Sequence, residues 1–556
     1  MKILLIQPPL RDFYQTSIRT QPIGLAYLAS SLQSHGHEVE ILDCQTHQKR
    51  YIPIPPELSY LKDFYPFEDR SPFKLFSGFY HFGMGWEEIR KKILDSKADV
   101  FGISSNFTPY HGEALEVARI IKEFSPKKIV VMGGSHVSGD PERVLQNPFI
   151  DYVLLGEGEI RFPLLLKVVE KGVNQIIKNM EGLGYRWDGE VRINPLFTFI
   201  QDLDSLPYPA RGLLDLDQYQ IKKKRSTVIL TSRGCPHGCA YCSTHLVMGN
   251  SFRAREPERI VEEMMECYKR YGMEAFDIED DNFTFDLNRA KRLMKLITKN
   301  FGEERLELYA MNGVSFSSLD KALLKLMKRA GFRTINLSFV STSVLTRDRM
   351  GRPSPKVEFD RILEKVEQVG LNVIAYVILG MPGQTIEEMV DTIIYLMGKR
   401  VLIGPSIYYP TPGTSLFKRC EKNGILPPHS TQWRSSALPI ETNEFNRIDL
   451  VTLFRLTRMV NFLKGRMDKG ELSEGITLRE IYQFVKDKAE VKTLDEIRAW
   501  NKLLLIILEE RTFFGIRKES NGKTLIFKEP TSRKVLDYFF EKGLRRPILR
   551  SHSVIQ

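Results

Sequence analysis

The chain has 556 residues, of which 42% are hydrophobic and 27% are charged, a globular composition long enough for about three or four domains. No run of about eighteen apolar residues occurs, and the first residues, MKILLIQPP, lack the basic region and cleavage site of a signal peptide, so we expect a cytoplasmic protein without a membrane span. The formal net charge is +11, but Lys and Arg alternate with Asp and Glu along the chain, which argues against a nucleic-acid partner. Basic runs at 222–225 and 542–550 could contact a membrane surface peripherally or an anionic substrate, although plain solvation is the favoured interpretation.

Residues 1–200 alternate short apolar stretches with amphipathic ones. Buried parallel strands are predicted at 2–6, 39–42, 99–104, 128–132 and 151–155, with helices such as 23–33 and 114–124 between them. This rhythm predicts an α/β, doubly wound (Rossmann-like) sheet, whose ligands bind beyond the carboxyl ends of the strands. No Gly-x-Gly-x-x-Gly dinucleotide fingerprint follows the first strand. The predicted ligand rim consists of the small and polar residues at the strand ends: Gln7, Pro8, Ser104, Ser105, Asn106, Gly133, Gly134, Ser135, His136, Gly156, Glu157, Gly158 and Glu159.

Two irregular stretches interrupt or end this region. An insertion at 51–86 is crowded with aromatic residues and prolines, which suggests either a lid over a bulky apolar substrate or an aromatic plug that extends the core. After a hairpin predicted around Trp187-Asp188-Gly189, residues 201–225 contain two prolines and little periodicity, so we expect an interdomain linker.

From 226 to 430 a strand-and-helix rhythm recurs six times, with strands predicted near residues 227, 275, 306, 334, 373 and 405. The helix predicted at 318–330 illustrates the amphipathic pattern. Six parallel units predict an incomplete (β/α)6 barrel, with its chemistry at the C-terminal ends of the strands. Beyond 430 the rhythm stops. Helices at 449–464 and 494–508, and a hairpin at 514–527 around Asn521-Gly522, predict a mostly helical domain over 431–556 that closes the barrel mouth.

Six cysteines in so long a chain do not form a disulfide framework. Cys235, Cys239 and Cys242 follow the first barrel strand in the stretch TSRGCPHGCAYCS. Three thiolates can bind three irons of a 4Fe-4S cluster and leave the fourth iron open for a small ligand. A zinc site is the alternative, and it would need a fourth ligand such as His237 or His245. The remaining cysteines are predicted to be buried structural thiols: Cys44, Cys267 and Cys420.

With Tyr241 directly before the third cysteine, this stretch resembles the radical S-adenosylmethionine (SAM) enzymes. The resemblance implies that SAM chelates the open iron and is cleaved reductively to a 5′-deoxyadenosyl radical, with electrons from an external flavodoxin- or ferredoxin-type donor. Where many of these enzymes have a glutamate in the fourth strand, this chain has Val340. The resemblance places the remaining SAM contacts at Glu279, Asp280, Asp281, Ser338, Ser341, Val377, Ile378 and Gly380. Arg255 could pair with the SAM carboxylate, and a surface salt bridge is the alternative.

The N-terminal motifs resemble the cobalamin-binding domain found ahead of many radical SAM domains. They are PIGLAYLA at 22–29, GHEVEILD at 36–43, the GGSH loop and the closing LLGEGE. Cobalamin-binding domains often carry Asp-x-His-x-x-Gly after the first strand, whereas this chain has QPPLRDFYQTS. We therefore expect cobalamin to bind base-off, with no histidine ligand from this loop.

The combined resemblance covers about residues 1–415 and is to the class B (cobalamin-dependent) radical SAM methylases and to the anaerobic magnesium-protoporphyrin ester cyclase. It implies methylation of an unactivated carbon through the 5′-deoxyadenosyl radical and methylcobalamin. The aromatic insertion suggests a bulky apolar small-molecule substrate, such as a lipid or a tetrapyrrole. A cobalamin-dependent cyclase or rearrangement enzyme without methyl transfer is the first alternative. A non-catalytic cobalamin or redox sensor would need an output module, and a tRNA methylthiotransferase would need a second cysteine triad.

Overall fold

The structure is a computed structural model that describes residues 1–14, 21–172, 174–352, 356–489, 496–520 and 524–551. Within these ranges no helix is both long and apolar enough to cross a membrane. The turn predicted at Asn521-Gly522 lies outside the described residues.

The N-terminal region is built on a seven-stranded sheet with helices on both faces, as predicted. The strands of this region are β1 (Lys2–Gln7), β2 (Leu10–Asp12), β3 (Glu38–Asp43), β4 (Lys49–Ile52), β5 (Phe79–Phe82), β6 (Val100–Ser104), β7 (Ile129–Gly133), β8 (Tyr152–Leu154), β9 (Leu183–Trp187) and β10 (Glu190–Ile193). The helices are α1 (Ile23–Ser34), α2 (Trp86–Asp95), α3 (His111–Phe124), α4 (Ser135–Gly139), α5 (Pro141–Gln146), α6 (Gly158–Lys171) and α7 (Asn174–Ile177).

The large sheet has the order β10-β9-β8-β7-β6-β1-β3, with β9 and β10 forming the predicted hairpin as its antiparallel edge. Strand β1 pairs in parallel with β3 on one side and with β6 on the other. The strand order therefore reverses at β1 and β6, and this switch point is where an open α/β sheet forms its ligand crevice.

The aromatic insertion lies in the core, which supports the plug interpretation and not the lid. Strands β2, β5 and β4 form a small antiparallel sheet. The ring centroids of Phe13 and Phe79 are 4.8 Å apart, and those of Tyr65 and Phe76 are 4.9 Å apart. All four side chains are buried in the cluster that also contains the barrel and the C-terminal helices. The insertion thus joins the N-terminal sheet to the rest of the molecule.

The central region is the predicted six-stranded incomplete barrel. Its strands are β11 (Gln220–Ile221), β12 (Lys224–Ile229), β13 (Ser232–Arg233), β14 (Arg253–Ala254), β15 (Ala275–Ile278), β16 (Glu307–Tyr309), β17 (Thr334–Val340), β18 (Asn372–Leu379) and β19 (Leu402–Ile407). Its helices are α8 (Thr244–Val247), α9 (Pro257–Tyr271), α10 (Leu287–Phe301), α11 (Lys321–Ala330), α12 (Val344–Arg349), α13 (Lys356–Val369), α14 (Ile386–Met397) and α15 (Ser415–Lys422).

Six of these strands form the parallel wall of the barrel in chain order. Strands β12, β15 and β16 form one group and β17, β18 and β19 another. Parallel bridges at Leu308–Phe332 and Val314–Leu337 connect the groups. Helix α11 begins three residues later than predicted, because the Asp320 side chain accepts a hydrogen bond from the Leu323 N–H at 2.7 Å and caps the helix there.

The C-terminal region covers the open edge of the barrel at β19. It comprises α16 (Arg447–Asp468), α17 (Leu478–Ala489), α18 (Glu496–Glu510), β20 (Phe514–Lys518), β21 (Thr524–Lys528) and α19 (Arg533–Gly543). The Asn461 side chain on α16 accepts from the Ile403 N–H at 3.0 Å and donates to the Ile403 carbonyl at 2.7 Å. These bonds satisfy a strand edge that a seventh strand would otherwise pair. Helices corresponding to α16 and α18 and the hairpin were predicted, whereas α17, α19 and the place of this region at the barrel edge were not.

Candidate active site

The three cysteines lie on one tight loop, residues 234–243, which we call the cysteine loop. Strands β13 and β14 pair at Arg233 and Arg253, so the chain leaves and returns at nearly the same place. Gly234 has φ +81°, and a Cβ there would stand 2.2 Å from the Ser251 carbonyl oxygen. Only glycine fits this position, and it turns the chain sharply before the first thiol.

Two carboxylates after β15 hold the cysteine loop in place. Asp280 is 2% exposed and accepts hydrogen bonds from the Thr231 N–H at 2.6 Å and the Thr231 hydroxyl at 2.5 Å. Asp281 accepts from the Gly234 N–H at 2.9 Å and from the Thr244 hydroxyl at 3.0 Å. These acids therefore anchor both ends of the loop. The contact of Asp280 and Asp281 with SAM stays a prediction, and in this structure both carboxylates accept hydrogen bonds from the protein.

Glu279 differs from its two neighbours because its carboxylate receives no hydrogen bond or ion pair from the described residues. It lies on the wall of the cavity between the sheet and the barrel. Burial, reinforced by the charge of Asp277, raises the pKa of Glu279 to about 7. Of the three consecutive acids, Glu279 alone is placed to meet a ligand.

Each thiol of the cysteine loop has its own polar neighbour. Asn282 Nδ2 lies 3.7 Å from Cys235 Sγ, Arg352 Nη1 lies 3.8 Å from Cys239 Sγ, and Thr244 Oγ1 lies 3.2 Å from Cys242 Sγ. Burial raises the pKa of the Cys235 thiol. Hydrogen bonds from the backbone N–H of His237 and from the side-chain amide of Asn282 oppose this shift. Among the described residues no three His, Cys, Asp or Glu side chains could hold a single metal ion. A 4Fe-4S cluster makes a different demand, because each thiolate binds a different iron. Three thiols on one loop, each with its own polar neighbour, fit this demand.

A cavity of about 400 Å³ opens at the β1–β6 switch point and reaches the barrel; we call it the switch-point cavity. Gly134 has φ +115°, and a Cβ there would stand 2.5 Å from Asn106 Oδ1, so glycine keeps this wall thin. On the barrel side, the switch-point cavity is lined by Glu279 and Asn312. The predicted rim residues that line it are Gln7, Ser104, Asn106, Gly133, Gly134, Ser135, Gly156, Glu157, Gly158 and Glu159. Pro8 and Ser105 line a small adjoining pocket. A glycine-walled crevice of this kind fits the expected cobalamin.

Two histidines lie behind the rim. The rings of His111 and His136 are 4.2 Å apart. His111 Nδ1 is 3.0 Å from the Ser105 hydroxyl, and His136 Nδ1 is 3.1 Å from the Thr108 hydroxyl. Burial lowers the pKa of His111 to about 4, and it also lowers the pKa of His136 well below its usual range. Both rings are therefore neutral hydrogen-bonding groups that support the rim, and no histidine of the described residues lines the switch-point cavity.

A buried ionic junction joins the rim to the cysteine loop. The Glu157 carboxylate accepts from Arg233 at 2.9 Å, from Arg253 at 2.8 Å and from the Ile200 N–H at 2.8 Å. Arg233 also donates to Glu159 at 2.6 Å. All four charged side chains are at most 7% exposed. The predicted cofactor contacts Glu157 and Glu159 therefore serve first as anchors, because their carboxylates are held by the two arginines.

A second cavity, of about 420 Å³, lies on the barrel side of the cysteine loop and is rich in tyrosine; we call it the tyrosine cavity. Three predicted SAM contacts, Tyr241, Val377 and Ile378, line it together with Tyr376 and Tyr409. Because Tyr241 belongs to both the loop and the cavity, a ligand in this cavity would lie next to the thiols. The apolar and aromatic lining fits the adenosine part of SAM.

Three other predicted SAM contacts are directed elsewhere. Ser341 is 1% exposed, and its hydroxyl accepts from the Ser343 N–H at 3.1 Å. Gly380 faces the C-terminal region, since a Cβ there would stand 2.8 Å from a methyl group of Leu450. Arg255 pairs with the buried Glu263 at 2.6 Å. The SAM contacts of these three residues stay predictions, and in this structure packing, a local hydrogen bond or a buried ion pair engages each one.

Strand β17, the fourth strand of the barrel wall, departs from regular geometry beside the cysteine loop. Its register shifts between Ser338 and Val340, and Val340 has φ +70°, an unusual conformation for a β-branched residue. Arg352 donates to the Ser338 carbonyl at 3.4 Å as well as contacting Cys239. Ser338 therefore lies near the loop, but Arg352 is the residue that connects the two.

Sequence reasoning missed the residues that support the thiols. Asn282 directly follows the acidic run, and a polar residue next to a predicted strand-end site was the available signal. Arg352 gave no such signal, because it follows a short helix far from the cysteines in the sequence. Arg233 adjoins the loop, but its partner Glu157 lies 76 residues away.

Comparison with known families agrees with both sites. The Radical SAM superfamily matches residues 229–396, and the B12 binding domain matches residues 78–166. An uncharacterized methyltransferase of Pyrococcus horikoshii is 30% identical over 433 residues, which are 77% of this chain and 84% of that protein. Cytidylyl-2-hydroxyethylphosphonate methyltransferase of Streptomyces wedmorensis is 26% identical over 474 residues, covering 78% of this chain and 84% of that enzyme.

The fold is also similar to that of a solved enzyme. The radical SAM methyltransferase TsrM from Kitasatospora setae, determined with cobalamin and a 4Fe-4S cluster bound, superimposes with a TM-score of 0.57 at 18% sequence identity. The match covers 76% of this chain and 75% of that one. At this identity the likeness concerns the fold, and the chemistry of the present chain is argued from its own residues.

Proposed function

This chain belongs to the radical SAM methyltransferases that carry a B12-binding domain, and we propose that it transfers a methyl group to an unactivated carbon of a bulky apolar substrate. The observation that carries the proposal is that the two cavities approach each other at Met311 and Asn312. Asn312 lines the switch-point cavity. Tyr376 lines the tyrosine cavity and donates its hydroxyl to the Met311 carbonyl at 3.1 Å. A substrate held at these two residues would reach both cofactor sites.

The residues present fit both cofactors. Cys235, Cys239 and Cys242 would hold three irons of a 4Fe-4S cluster, Tyr241 and its neighbours would hold SAM, and the switch-point rim would hold cobalamin. When bound, the cluster with SAM supplies a 5′-deoxyadenosyl radical, and cobalamin supplies the methyl group.

The contribution of the chain itself is to position these groups. Asp281 fixes the cysteine loop, and Asn282 and Arg352 place hydrogen-bond donors beside two of the sulfur atoms, where such donors tune a cluster and orient its ligands. Glu279 offers an unpaired carboxylate at the strand end where the family resemblance expects the SAM amino group. An ammonium group at this place would lower the pKa of Glu279 and favour its ionised form.

The described residues that line the switch-point cavity would offer bound cobalamin no imidazole. The loop after β1 contains no histidine, and His111 and His136 bind hydroxyl groups behind the rim. We therefore expect base-off cobalamin without histidine ligation. A nitrogen superhyperfine pattern in the electron paramagnetic resonance spectrum of the cobalt(II) form would contradict this expectation.

We infer the substrate class from exposed apolar side chains on the rim and at the strand ends. Phe107 on the rim, Phe285 after β15, Met311 after β16 and Tyr409 after β19 are between 37% and 45% exposed. Apolar groups left exposed around a cleft are typical of a binding surface. They support a large apolar molecule, such as a lipid or a tetrapyrrole.

The reaction also needs electrons from outside the chain, and we infer a flavodoxin- or ferredoxin-type donor in the cytoplasm. All six cysteines are free thiols, and Cys44, Cys267 and Cys420 are buried as predicted. This thiol chemistry is suited to a reducing compartment.

Product analysis tests the proposal. Anaerobically reconstituted enzyme is incubated with reductant, cobalamin, SAM carrying a deuterated methyl group, and an apolar extract of cells as substrate source. We expect S-adenosylhomocysteine and 5′-deoxyadenosine in equal amounts, with the deuterated methyl group in the product. Formation of 5′-deoxyadenosine alone would favour the cyclase or rearrangement alternative.

A pair of variants tests the substrate surface. Phe107→Ala should raise the KM for the apolar substrate at least several-fold. Phe124→Ala is the matched control, because Phe124 is 47% exposed at the end of α3 and Phe107 is 45% exposed on the rim. Equal effects of the two substitutions would contradict the assignment of the rim to substrate.

A further inference from the structure

We propose that the outer face of α12 and α15 is the docking surface for an acidic flavodoxin-type protein that delivers electrons to the cluster. The inference rests on the proposed function, since only a chain that holds the cluster needs such a partner. It goes further by assigning the surface and the chemistry of the protein that binds there.

This face lies directly over the cysteine loop. The Ala240 N–H donates to the Met350 carbonyl, just past α12, at 3.0 Å, and the Leu416 N–H in α15 donates to the Ala240 carbonyl at 2.9 Å. Gly351 also packs on the loop, since a Cβ there would stand 2.9 Å from the Gly238 carbonyl oxygen. The two helices thus cover the outer side of the loop with one layer of backbone. Because electron transfer slows steeply with distance, a donor bound here would have a short path to the cluster.

The face carries more positive than negative charge, although α12 also exposes one acid, Asp348. The guanidinium groups of Arg349 on α12 and Arg419 on α15 both lie beside Gly383. They are 3.0 Å and 3.8 Å, respectively, from the position that a Cβ on Gly383 would occupy. Both side chains are exposed, and neither forms an ion pair with a carboxylate of the described residues. Lys422 lies three residues after Arg419 and therefore on the same side of α15. The nearby acid Glu421 is paired with Arg143 at 3.2 Å.

The same face also exposes apolar side chains. Val344 and Leu345 are 62% and 55% exposed, and Leu345 lies four residues before Arg349, on the same side of α12. A flavodoxin presents the apolar edge of its flavin within a ring of acidic residues. Apolar residues beside unpaired arginines are complementary to that arrangement, and the charges would steer the approach of the partner.

The test compares two reductants on the reconstituted enzyme. The variant Arg349→Glu with Arg419→Glu reverses the charge of the face and changes no residue of the active site. A matched control, Lys295→Glu with Lys325→Glu, makes the same charge change on exposed positions of α10 and α11. We measure 5′-deoxyadenosine formation from SAM with reduced bacterial flavodoxin at several ionic strengths, and in parallel with titanium(III) citrate. Binding of oxidised flavodoxin is measured by surface plasmon resonance.

We expect the arginine variant to lose at least tenfold in kcat/KM for flavodoxin at low salt, and to bind flavodoxin correspondingly more weakly. The loss should shrink as salt screens the charges. Turnover with titanium(III) citrate should be unchanged, and the lysine variant should behave as wild type in every assay.

Three results would overturn the inference. They are full activity of the arginine variant with flavodoxin, an equal loss with both reductants, or turnover of the wild type with ferredoxin but not with flavodoxin. If the wild type forms no 5′-deoxyadenosine even with titanium(III) citrate, the proposed function fails instead, and the two failures are thereby distinguished.

Discussion

The ionic junction between the rim and the cysteine loop makes a quantitative prediction for Glu157→Gln. The Glu157 side chain is fully buried, and it is the only carboxylate that pairs with Arg253 within the described residues, at 2.8 Å. The substitution keeps the size of the side chain but leaves the Arg253 guanidinium, 3% exposed, without an anion. Breaking a buried pair in this way costs about 3–5 kcal/mol.

The chain offers a control that spans the same two regions. Arg143 in the N-terminal region pairs with Glu421 in the barrel at 3.2 Å, with both side chains 52% exposed. Water already solvates these charges, so Glu421→Gln should cost no more than about 1 kcal/mol. The two substitutions should therefore differ by about 2–5 kcal/mol, although each removes one carboxylate from an interdomain ion pair.

The assay is equilibrium urea denaturation of the cofactor-free protein, followed by tryptophan fluorescence. Because a chain with several regions need not unfold in one step, the comparison uses the midpoint and slope of the first transition. A double-mutant cycle with Arg253→Gln should show a coupling of about 1 kcal/mol or more, since the double variant leaves no unpaired charge. If the two glutamate variants shift the midpoint equally, or if the cycle is additive, the junction is not the interdomain anchor described above.

Three further substitutions test the loop, the barrel edge and a buried lysine. Asp281→Asn should weaken the hydrogen bond from the Thr244 hydroxyl. The amount of iron bound per chain after reconstitution, measured by iron analysis, should then fall by at least half. Asn461→Ala leaves the N–H and carbonyl of Ile403 unpaired at the barrel edge and should cost about 2 kcal/mol or more in urea denaturation. Burial lowers the pKa of Lys464 to about 7 from 10.5. Between these values the unfolded chain binds the extra proton, so the stability should rise with pH by up to about 1.4 kcal/mol per unit, and Lys464→Gln should abolish this rise.

Each of these substitutions has a control or a contrary outcome. Asp286→Asn is the control for Asp281→Asn, because it makes the same change at the cap of α10, where the Asp286 side chain accepts from the Arg289 N–H at 2.9 Å. Asparagine also caps helices, so this variant should leave iron binding unchanged. Asn300→Ala on the exposed side of α10 should leave stability nearly unchanged. A slope of stability against pH that is the same in Lys464→Gln as in the wild type would show that other groups cause it.

The parts of the site that could be predicted from the sequence depend on neighbours in the chain. The thiols of Cys235, Cys239 and Cys242 share a loop because eight consecutive residues contain them. The rim from Gln7 to Gly158 could be predicted because parallel strands bring their carboxyl ends to one edge of the sheet. Both inferences need only local spacing and the topology of the fold.

The direction of individual side chains could not be predicted in the same way. Glu279, Asp280 and Asp281 are consecutive and chemically alike, yet one faces a cavity and two hold a loop, because the chain turns at this point after β15. The contact of Arg352 with Cys239 spans 113 residues and depends on how α12 packs. Arg255 could be assigned to SAM or to an ion pair from the sequence, and only the position of Glu263 on α9 decides between them.

The ionic junction also limits how freely the two halves of this enzyme could be exchanged with those of its relatives. Glu157 and Glu159 belong to the B12-binding half, whereas Arg233 and Arg253 belong to the radical SAM half. A chimera that takes one half from a protein with different residues at these four positions would bury unmatched charges at the seam. Engineers who wish to graft a new substrate-binding half onto this chain should therefore transfer all four residues as a set, or replace all four with apolar residues of similar volume.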